Sequence, residues 1–498
     1  MKKSIFIILT LSLSLISASL FADGYKIKVK INGVSDTIAY LGNHYGDKKF
    51  AIDTILLDKN GTGTFQGDEK LGGGIYLVLL PSRGMTYFEI LIDKEQNFSL
   101  ETDTTNFVEN MKIKGSEEGK QFYEFQGKMS NLQKRAGKFQ EMLRRLKDNK
   151  DSTKIVRDKL DGITKEKDDY WKKMITDNPN TMLALMLEAM QDPEIPEFDI
   201  PKDCTNPDSL KRIKTYLYAK GHYFDKINFA DSRILRTPVF HNKLNTYMTK
   251  MILQHPDTII KEGDILVKLS EPDTNMYRYM LVYMLGYYEK TKIMGMDKVF
   301  VFFGENYYLA DKAHWADSTL KAKIAERVIA LKPNLVGQKS PNIQLETFEG
   351  KAMSLWDVNA EYTVLYFYEP SCGHCKKTTP KLKMLYDKFK KHNVEVFAVY
   401  TQHDKKEWKE FIDKYDLNWI NVYDRYNYSN FRKKYDIYST PVIYLLNDKK
   451  EIIAKRLDIA QVKDMLIHML KLEDDPEFKD IIIEEDSDED VDDEKDTH

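Results

Sequence analysis

The hydrophobic rhythm of this chain changes twice, and each rhythm can be buried by only one kind of architecture. From Asp23 to about Asp103, apolar and polar residues alternate in short segments, as in Tyr25 to Ile31, Asp36 to Leu41 and Ile52 to Leu57. A period of two sends successive side chains to opposite faces of a strand, so such segments bury one face and wet the other. Asp58-Lys59-Asn60-Gly61 and Gly72-Gly73-Gly74 punctuate them as turns. The pattern predicts an N-terminal antiparallel, sandwich-like β domain over residues 23–103.

From about Gly115 to Leu331 glycine becomes sparse and apolar residues recur three and four apart, as in Ile155 to Ile175 and Thr181 to Met190. That spacing predicts a central α-helical domain over residues 115–331, interrupted once by Pro193, Pro196 and Pro201. Met182, Met186, Met190, Tyr277, Met280 and Tyr287 read as its core packing. Near Gly337 the style changes again. Thr363 to Tyr368, Val394 to Tyr400 and Val442 to Leu446 have strand composition, while Lys376 to His392 and Lys405 to Tyr415 have helical spacing. Strands alternating with helices predict a C-terminal α/β domain over residues 336–472.

The ends carry their own signals. Met1-Lys2-Lys3, the apolar run Ile5 to Ile16 and the small residues up to Ala22 have the order of a cleavable secretory leader over residues 1–22. The run falls short of the roughly 20 residues that span a bilayer. The expectation is an exported, periplasmic protein that does not span the membrane once matured. Residues 473–498, rich in Asp and Glu, predict a solvated, disordered acidic tail, preferred over a calcium site because nothing fixes its carboxylates. The 498 residues are too many for one core, and a net charge of -3 without a basic face argues against a nucleic-acid partner. Three cysteines are too few to build an exported disulfide scaffold.

Two of those cysteines form the motif Cys372-Gly373-His374-Cys375, directly after a strand and the connection Glu369-Pro370-Ser371. One helical turn separates the sulfurs, which can bring them close enough to bond. Cys372 then starts a helix, where unpaired N–H groups and the macrodipole favour an anion, the reactive form of a thiol. His374 adds a donor and a potential positive charge. A zinc site would need two histidines close together some 12 to 15 residues on, whereas His392 and His403 lie apart and no second CxxC exists. A purely structural disulfide closing so small a loop would constrain the unfolded chain little. A redox dithiol is the favoured reading of the three, and it implies no metal and no cofactor. Cys204 has no partner by sequence and reads as an isolated thiol.

With "YFYEPSCGHCKKTTPKL" and "YDIYSTPVIYLL", residues from about Val336 to Lys471 look like a thioredoxin-fold domain. They resemble the exported TlpA/ResA-like thiol–disulfide oxidoreductases, especially the multidomain type of Bacteroidota, in which a β domain and a helical segment come first. The resemblance implies that Cys372 attacks and Cys375 resolves. It implies that Pro441 is the family's cis-proline, leaving the Thr440 backbone to pair with an extended substrate, and that Pro380 bends the active-site helix. Protein thiols and disulfides would be the partners, with a membrane electron donor of the thiol-reducing type. Two departures stand out: Thr378 replaces a glutamate common in relatives, and Tyr366 occupies the position where thioredoxins bury a carboxylate. Cys375 therefore lacks its expected proton carrier, for which Glu369 is a substitute if it is not simply an exposed turn residue.

The direction of transfer stays open. Gly373-His374 is also the dipeptide of protein disulfide isomerases, whose potential lies about 90 mV above that of thioredoxin, roughly 4 kcal/mol for two electrons. The competing reading is non-enzymatic, a periplasmic binding or scaffold protein with a thioredoxin-like domain. A thiol peroxidase is disfavoured, since the Pro-x-x-x-Thr-x-x-Cys context of such enzymes is absent.

Overall fold

The computed structural model describes residues 24–146, 150–479 and 483. The leader expected over residues 1–22 and the acidic residues from Glu484 onward lie outside them. The chain divides into two compact units, residues 1–252 with 271–276, and residues 253–270 with 277–498.

In the first unit eight strands form two four-stranded sheets: β1 (Tyr25–Asn32), β2 (Thr37–Tyr45), β3 (Lys48–Leu57), β4 (Thr62–Gly67), β5 (Gly74–Leu80), β6 (Thr86–Ile92), β7 (Asn97–Asp103) and β8 (Lys112–Lys114). Their orders are β4-β1-β7-β8 and β3-β2-β5-β6. The alternation read from β1 is real: Tyr25, Ile27, Val29 and Ile31 are buried, while Lys26 and Lys28 face water. At the turn after β3, Gly61 sits at φ +69°, where an added Cβ would lie 2.2 Å from the Ile31 carbonyl oxygen, so glycine is required there. The expected antiparallel pairing fails at one place, because β1 runs parallel to β7 with Ile27 opposite Phe98. The intervening strands supply the long connection that parallel pairing needs. β8 adds to β7 beyond the boundary expected at Asp103.

Helices α1 (Glu117–Arg145), α2 (Lys150–Asp177), α3 (Met182–Ala189), α4 (Pro207–Gly221) and α5 (Pro238–Thr246) follow in this unit. Glu166 of α2 joins Lys128 and Arg135 of α1 at 2.7 and 2.8 Å. The helical stretch expected as one domain is shared: α6 (Pro256–Leu269), α8 (Asp297–Phe303) and α9 (Ser318–Leu331) belong to the second unit, and α7 (Thr274–Lys290) begins in one unit and continues in the other. Helical periodicity marks a buried face without saying which core covers it. Met182, Met186 and Met280 are core residues as expected, whereas Met190 and Tyr287 are exposed.

The second unit is organised by a seven-stranded sheet of β9 (Gln344–Thr347), β10 (Ala352–Ser354), β11 (Tyr362–Tyr368), β12 (Val394–Tyr400), β13 (Ile420–Tyr423), β14 (Val442–Leu446) and β15 (Ile452–Lys455), in the order β10-β9-β13-β12-β11-β14-β15. β11 is parallel to β12 and antiparallel to β14. Residues Thr363 to Tyr368 are all buried because both faces of β11 are covered. Val364, Tyr366 and Tyr368 enter one core with α10 (Gly373–Phe389) and α11 (Lys405–Tyr415), while Leu365 and Phe367 enter the other beside Phe431 of α12 (Phe431–Lys434). α13 (Ile459–Met469) and α14 (Pro476–Lys479) complete the first of these cores.

α14 corrects the expected tail boundary at 473. Phe478 is 3% exposed and packs on Phe389 with ring centroids 4.8 Å apart. The buried ring docks the acidic stretch together with Glu477, which is bound by Lys388 and Lys391. Phe478→Ala should cost about 3 to 5 kcal/mol by analogy with other buried phenylalanines. Denaturant unfolding checks this, and a loss below about 1 kcal/mol would return the segment to the tail.

Candidate active site

β11 runs out of the sheet at Tyr368, and Cys372, four residues later, is the N-cap of α10. At φ -68° and ψ 124°, Cys372 is still extended, and its Sγ accepts the backbone N–H of Cys375 at 3.5 Å. The sulfur thus takes the place that a serine or aspartate oxygen fills in ordinary caps. Helix α10 starts at Gly373, three residues before the Lys376 expected from spacing, because the cap is the cysteine itself. Pro380 lies inside α10 and interrupts its backbone ladder.

The two sulfurs have different surroundings. Cys372 is half-buried, and its thiol lies 3.3 Å from the Thr440 carbonyl oxygen, to which it donates. Cys375 is fully buried. Burial pushes its thiol up to about 12, against hydrogen bonds from the Glu369 backbone and the Thr440 side chain. Cys372 and Cys375 are free thiols, as is Cys204, which sits in the first unit on the segment before α4. The Thr440-Pro441 peptide bond is cis, and β14 starts immediately after it. The structure therefore brings Cys372, Cys375, Thr440 and Pro441 together. His374 is exposed on the first turn of α10. His392 stands beyond the opposite end of the same helix, against Phe478.

Behind Cys375 lies a group that spacing alone did not reveal. Tyr366 is fully buried, and its hydroxyl shares a 2.9 Å hydrogen bond with Thr379 Oγ1. Burial, and next the nearby Cys375, hold that hydroxyl well above its ordinary value. Tyr366 stacks on Tyr368 at 5.1 Å, and the Tyr368 hydroxyl accepts from Trp408 Nε1 at 2.9 Å. Neutral hydroxyls thus occupy the place where the resemblance implied a carboxylate. Glu369, weighed as the substitute, accepts from Gln402 Nε2 at 2.7 Å and from Ser371 Oγ at 3.4 Å. Its carboxylate is engaged by the loop after β12. The period-two pattern of β11 places Tyr366 on the α10 side, but its hydroxyl partner is a helix residue one turn after Cys375.

A dithiol at the start of a helix that follows a central β-strand, facing a cis-proline loop, defines a protein of the thioredoxin fold. Comparison with known proteins agrees. Residues 336–455 match the AhpC/TSA family model, while residues 162–334 and 25–122 match two domains of unknown function, DUF5106 and DUF4369. Thiol-disulfide oxidoreductase ResA of Bacillus thuringiensis is 28% identical over 136 residues, covering 27% of this chain and 77% of that protein. A crystal structure from Cytophaga hutchinsonii, described as a "domain of possible thiol-disulfide isomerase", is 38% identical, covering 28% of this chain and 96% of that one, with a TM-score of 0.27. A thioredoxin-like protein from Bacteroides caccae is 20% identical, covering 56% of this chain and 99% of that one, with a TM-score of 0.43. Residues 336–455 form an AhpC/TSA thioredoxin-like domain, and over that domain the chain is similar to the ResA thiol–disulfide oxidoreductases.

The asymmetry between the sulfurs has a direct readout. Pushed up to about 12 by burial, the Cys375 thiol stays protonated at neutral pH. Brief iodoacetamide treatment of the reduced protein should label Cys372 and spare Cys375, as read by peptide mass spectrometry. Equal labelling would contradict the burial of Cys375.

Proposed function

We propose that this chain is an exported, periplasmic thiol–disulfide oxidoreductase that acts on protein or peptide disulfides through Cys372 and Cys375. The observation that carries the reading is the Cys372 sulfur, capping α10 and 3.3 Å from the Thr440 carbonyl, with the buried Cys375 one turn behind it.

In the reducing direction the Cys372 thiolate attacks one sulfur of a substrate disulfide. A Cys372–substrate disulfide forms, and the other substrate sulfur leaves as a thiolate. Cys375 then gives up its proton and attacks Cys372 Sγ, closing the Cys372–Cys375 disulfide and releasing the second substrate sulfur. Because burial holds Cys375 protonated, this step needs a base, and the departing substrate thiolate is one. Two electrons pass from the dithiol to the substrate, so turnover needs a donor. A membrane protein of the thiol-reducing type fits an exported enzyme. The same steps in reverse pass a disulfide to a substrate dithiol, and the reduction potential of the pair decides which way runs. Thr440 offers its backbone to an extended substrate beside Cys372, Pro441 holds that backbone in place, and His374 adds a donor at the exposed first turn. Among the described residues no helix is long and apolar enough to cross a membrane.

Insulin reduction with dithiothreitol tests the reading. Wild type should accelerate it and Cys372→Ser should fall to the uncatalysed rate, whereas equal rates would leave a binding or scaffold role. With Cys375→Ala the first step proceeds and the second cannot. Mixed disulfides should then accumulate on Cys372 and disappear on adding reductant. Trapping through Cys204 instead would overturn the assignment of roles.

A further inference from the structure

The segment leading to Pro441 is fixed from several sides, yet one ring on it is left in water. Tyr435, Asp436 and Ile437 are 0%, 2% and 3% exposed, whereas Tyr438 is 77% exposed. The Tyr435 hydroxyl donates to the Pro341 carbonyl, and the Tyr435 carbonyl accepts from the Tyr444 hydroxyl at 2.6 Å. Lys434 Nζ donates to the Asn342 carbonyl at 3.0 Å. The Asp436 carboxylate is held between Arg327 of α9 and Arg456, the latter at 2.7 Å. The Arg327 guanidinium also lies over the Tyr438 ring, 5.8 Å from its centroid. One arginine therefore pairs with the buried aspartate and contacts the exposed ring.

The topology places the backbone of Tyr438 on the rim that carries the dithiol. β11, β12 and β13 are parallel, with Tyr368 opposite Tyr400 and Tyr400 opposite Tyr423. The segments that leave them open on one rim, which is where Cys372 lies. The chain returns to the sheet at the same rim, with Val442 opposite Phe367. Tyr438 precedes by two residues the Thr440 whose carbonyl lies 3.3 Å from Cys372 Sγ, and two residues span at most about 7 Å. Tyr426 and Tyr428 follow β13 on this rim and are also exposed, but they stack on each other at 5.5 Å and precede Thr440 by more than ten residues.

We propose that Tyr438, held by Arg327, selects substrates by taking an apolar or aromatic side chain one to three residues from the cysteine of an extended peptide bound beside the dithiol. The proposal rests on the oxidoreductase reading above. A tyrosine fixed in advance offers a large contact area at little ordering cost, and aromatic contacts accept many apolar partners. Arg327 is a positioning residue, contributed by the helical region of the second unit to a surface otherwise built from the α/β domain.

The test uses two disulfide-linked peptides that differ only in Phe or Gly two residues from the cysteine. Wild type should favour the Phe peptide at least fivefold in kcat/KM. Tyr438→Ala should remove that preference through KM, with kcat within twofold, and Tyr438→Phe should restore it. Arg327→Gln should weaken the preference part of the way. A preference that survives Tyr438→Ala, or an equal loss of kcat on both peptides, would overturn the proposal. If wild type fails to reduce either peptide, the enzymatic reading falls separately. Calorimetric binding of serine-substituted peptides to the Cys372→Ser/Cys375→Ser chain then decides the role of Tyr438 without turnover. Tighter binding of the Phe peptide that Tyr438→Ala abolishes supports it, and equal binding of the two peptides sinks it.

Discussion

One strand buried on both faces organises everything near the dithiol. β11 sends Val364, Tyr366 and Tyr368 into one core and Leu365 and Phe367 into the other. Val364 to Phe367 are also paired on both sides, as Tyr366 is with Ala398 and Ile443. A slip of one position would exchange the two sets of side chains. It would bring Phe367 to the face of α10, with no hydroxyl for Thr379, and would leave Tyr366 among Phe431, Tyr435 and Tyr444. The register thus fixes where the strand ends, and the four-residue connection from Tyr368 leaves Cys372 little choice of position. Packing in two cores and placement of a sulfur are here one constraint.

The same constraint separates the two thiols chemically. The chain meets Cys372 at the sheet rim, where an N–H of the first helical turn points at its sulfur. It meets Cys375 one turn later, in the core shared by Tyr366, Leu382 and Trp408. Burial disfavours the anion at Cys375 and leaves the capping sulfur as the better-placed nucleophile. A carboxylate behind Cys375 would be a second charge to desolvate. The Tyr366–Thr379 pair satisfies its own hydrogen bonds while neutral, so the core keeps a polar element without a buried charge. In the proposed reaction, proton transfer from Cys375 falls to the substrate sulfur or to water.

How much of this could be read beforehand follows from the range of each signal. The motif Cys372-Gly373-His374-Cys375, the strand before it and Thr440-Pro441 are local features, and spacing alone placed them on β11, α10 and the entrance to β14. The limits of β12, α11 and β14 were legible for the same reason. The parallel pairing of β1 with β7 was not, because period two says which residues share a face and nothing about which strand lies alongside. β9, β10 and β13 are three or four residues long and too short for any period to register. The docking of Phe478 was signalled by a single aromatic side chain in an acidic context. The Tyr366–Thr379 bond joins residues thirteen apart on different elements, a relation visible only when the fold brings them together.

The helices of the second unit are fastened to the sheet by charge rather than by apolar contact alone. Lys455 of β15 is 6% exposed, and its ammonium is bound by the Asp297 carboxylate and by the Asn334 side chain and carbonyl, the latter two at 2.8 Å. Burial pulls that ammonium below its ordinary value, and Asp297 pulls it back. Asp436, nearly as buried, is shared by Arg327 and Arg456. Apolar residues of similar volume could fill such places at equal or lower free energy, so ion pairs of this kind are weak arguments for stability. What they impose is position, since a buried charge moved off its partner costs several kcal/mol. An apolar interface tolerates sliding by a fraction of a side chain, whereas Asp297 and Arg327 tolerate little. The helices α8 and α9 are thereby held in one register against β15 and against the segment that ends at Pro441. The half of the site that faces Cys372 is built from that segment, so its geometry is fixed jointly by the sheet and by helices outside the α/β domain.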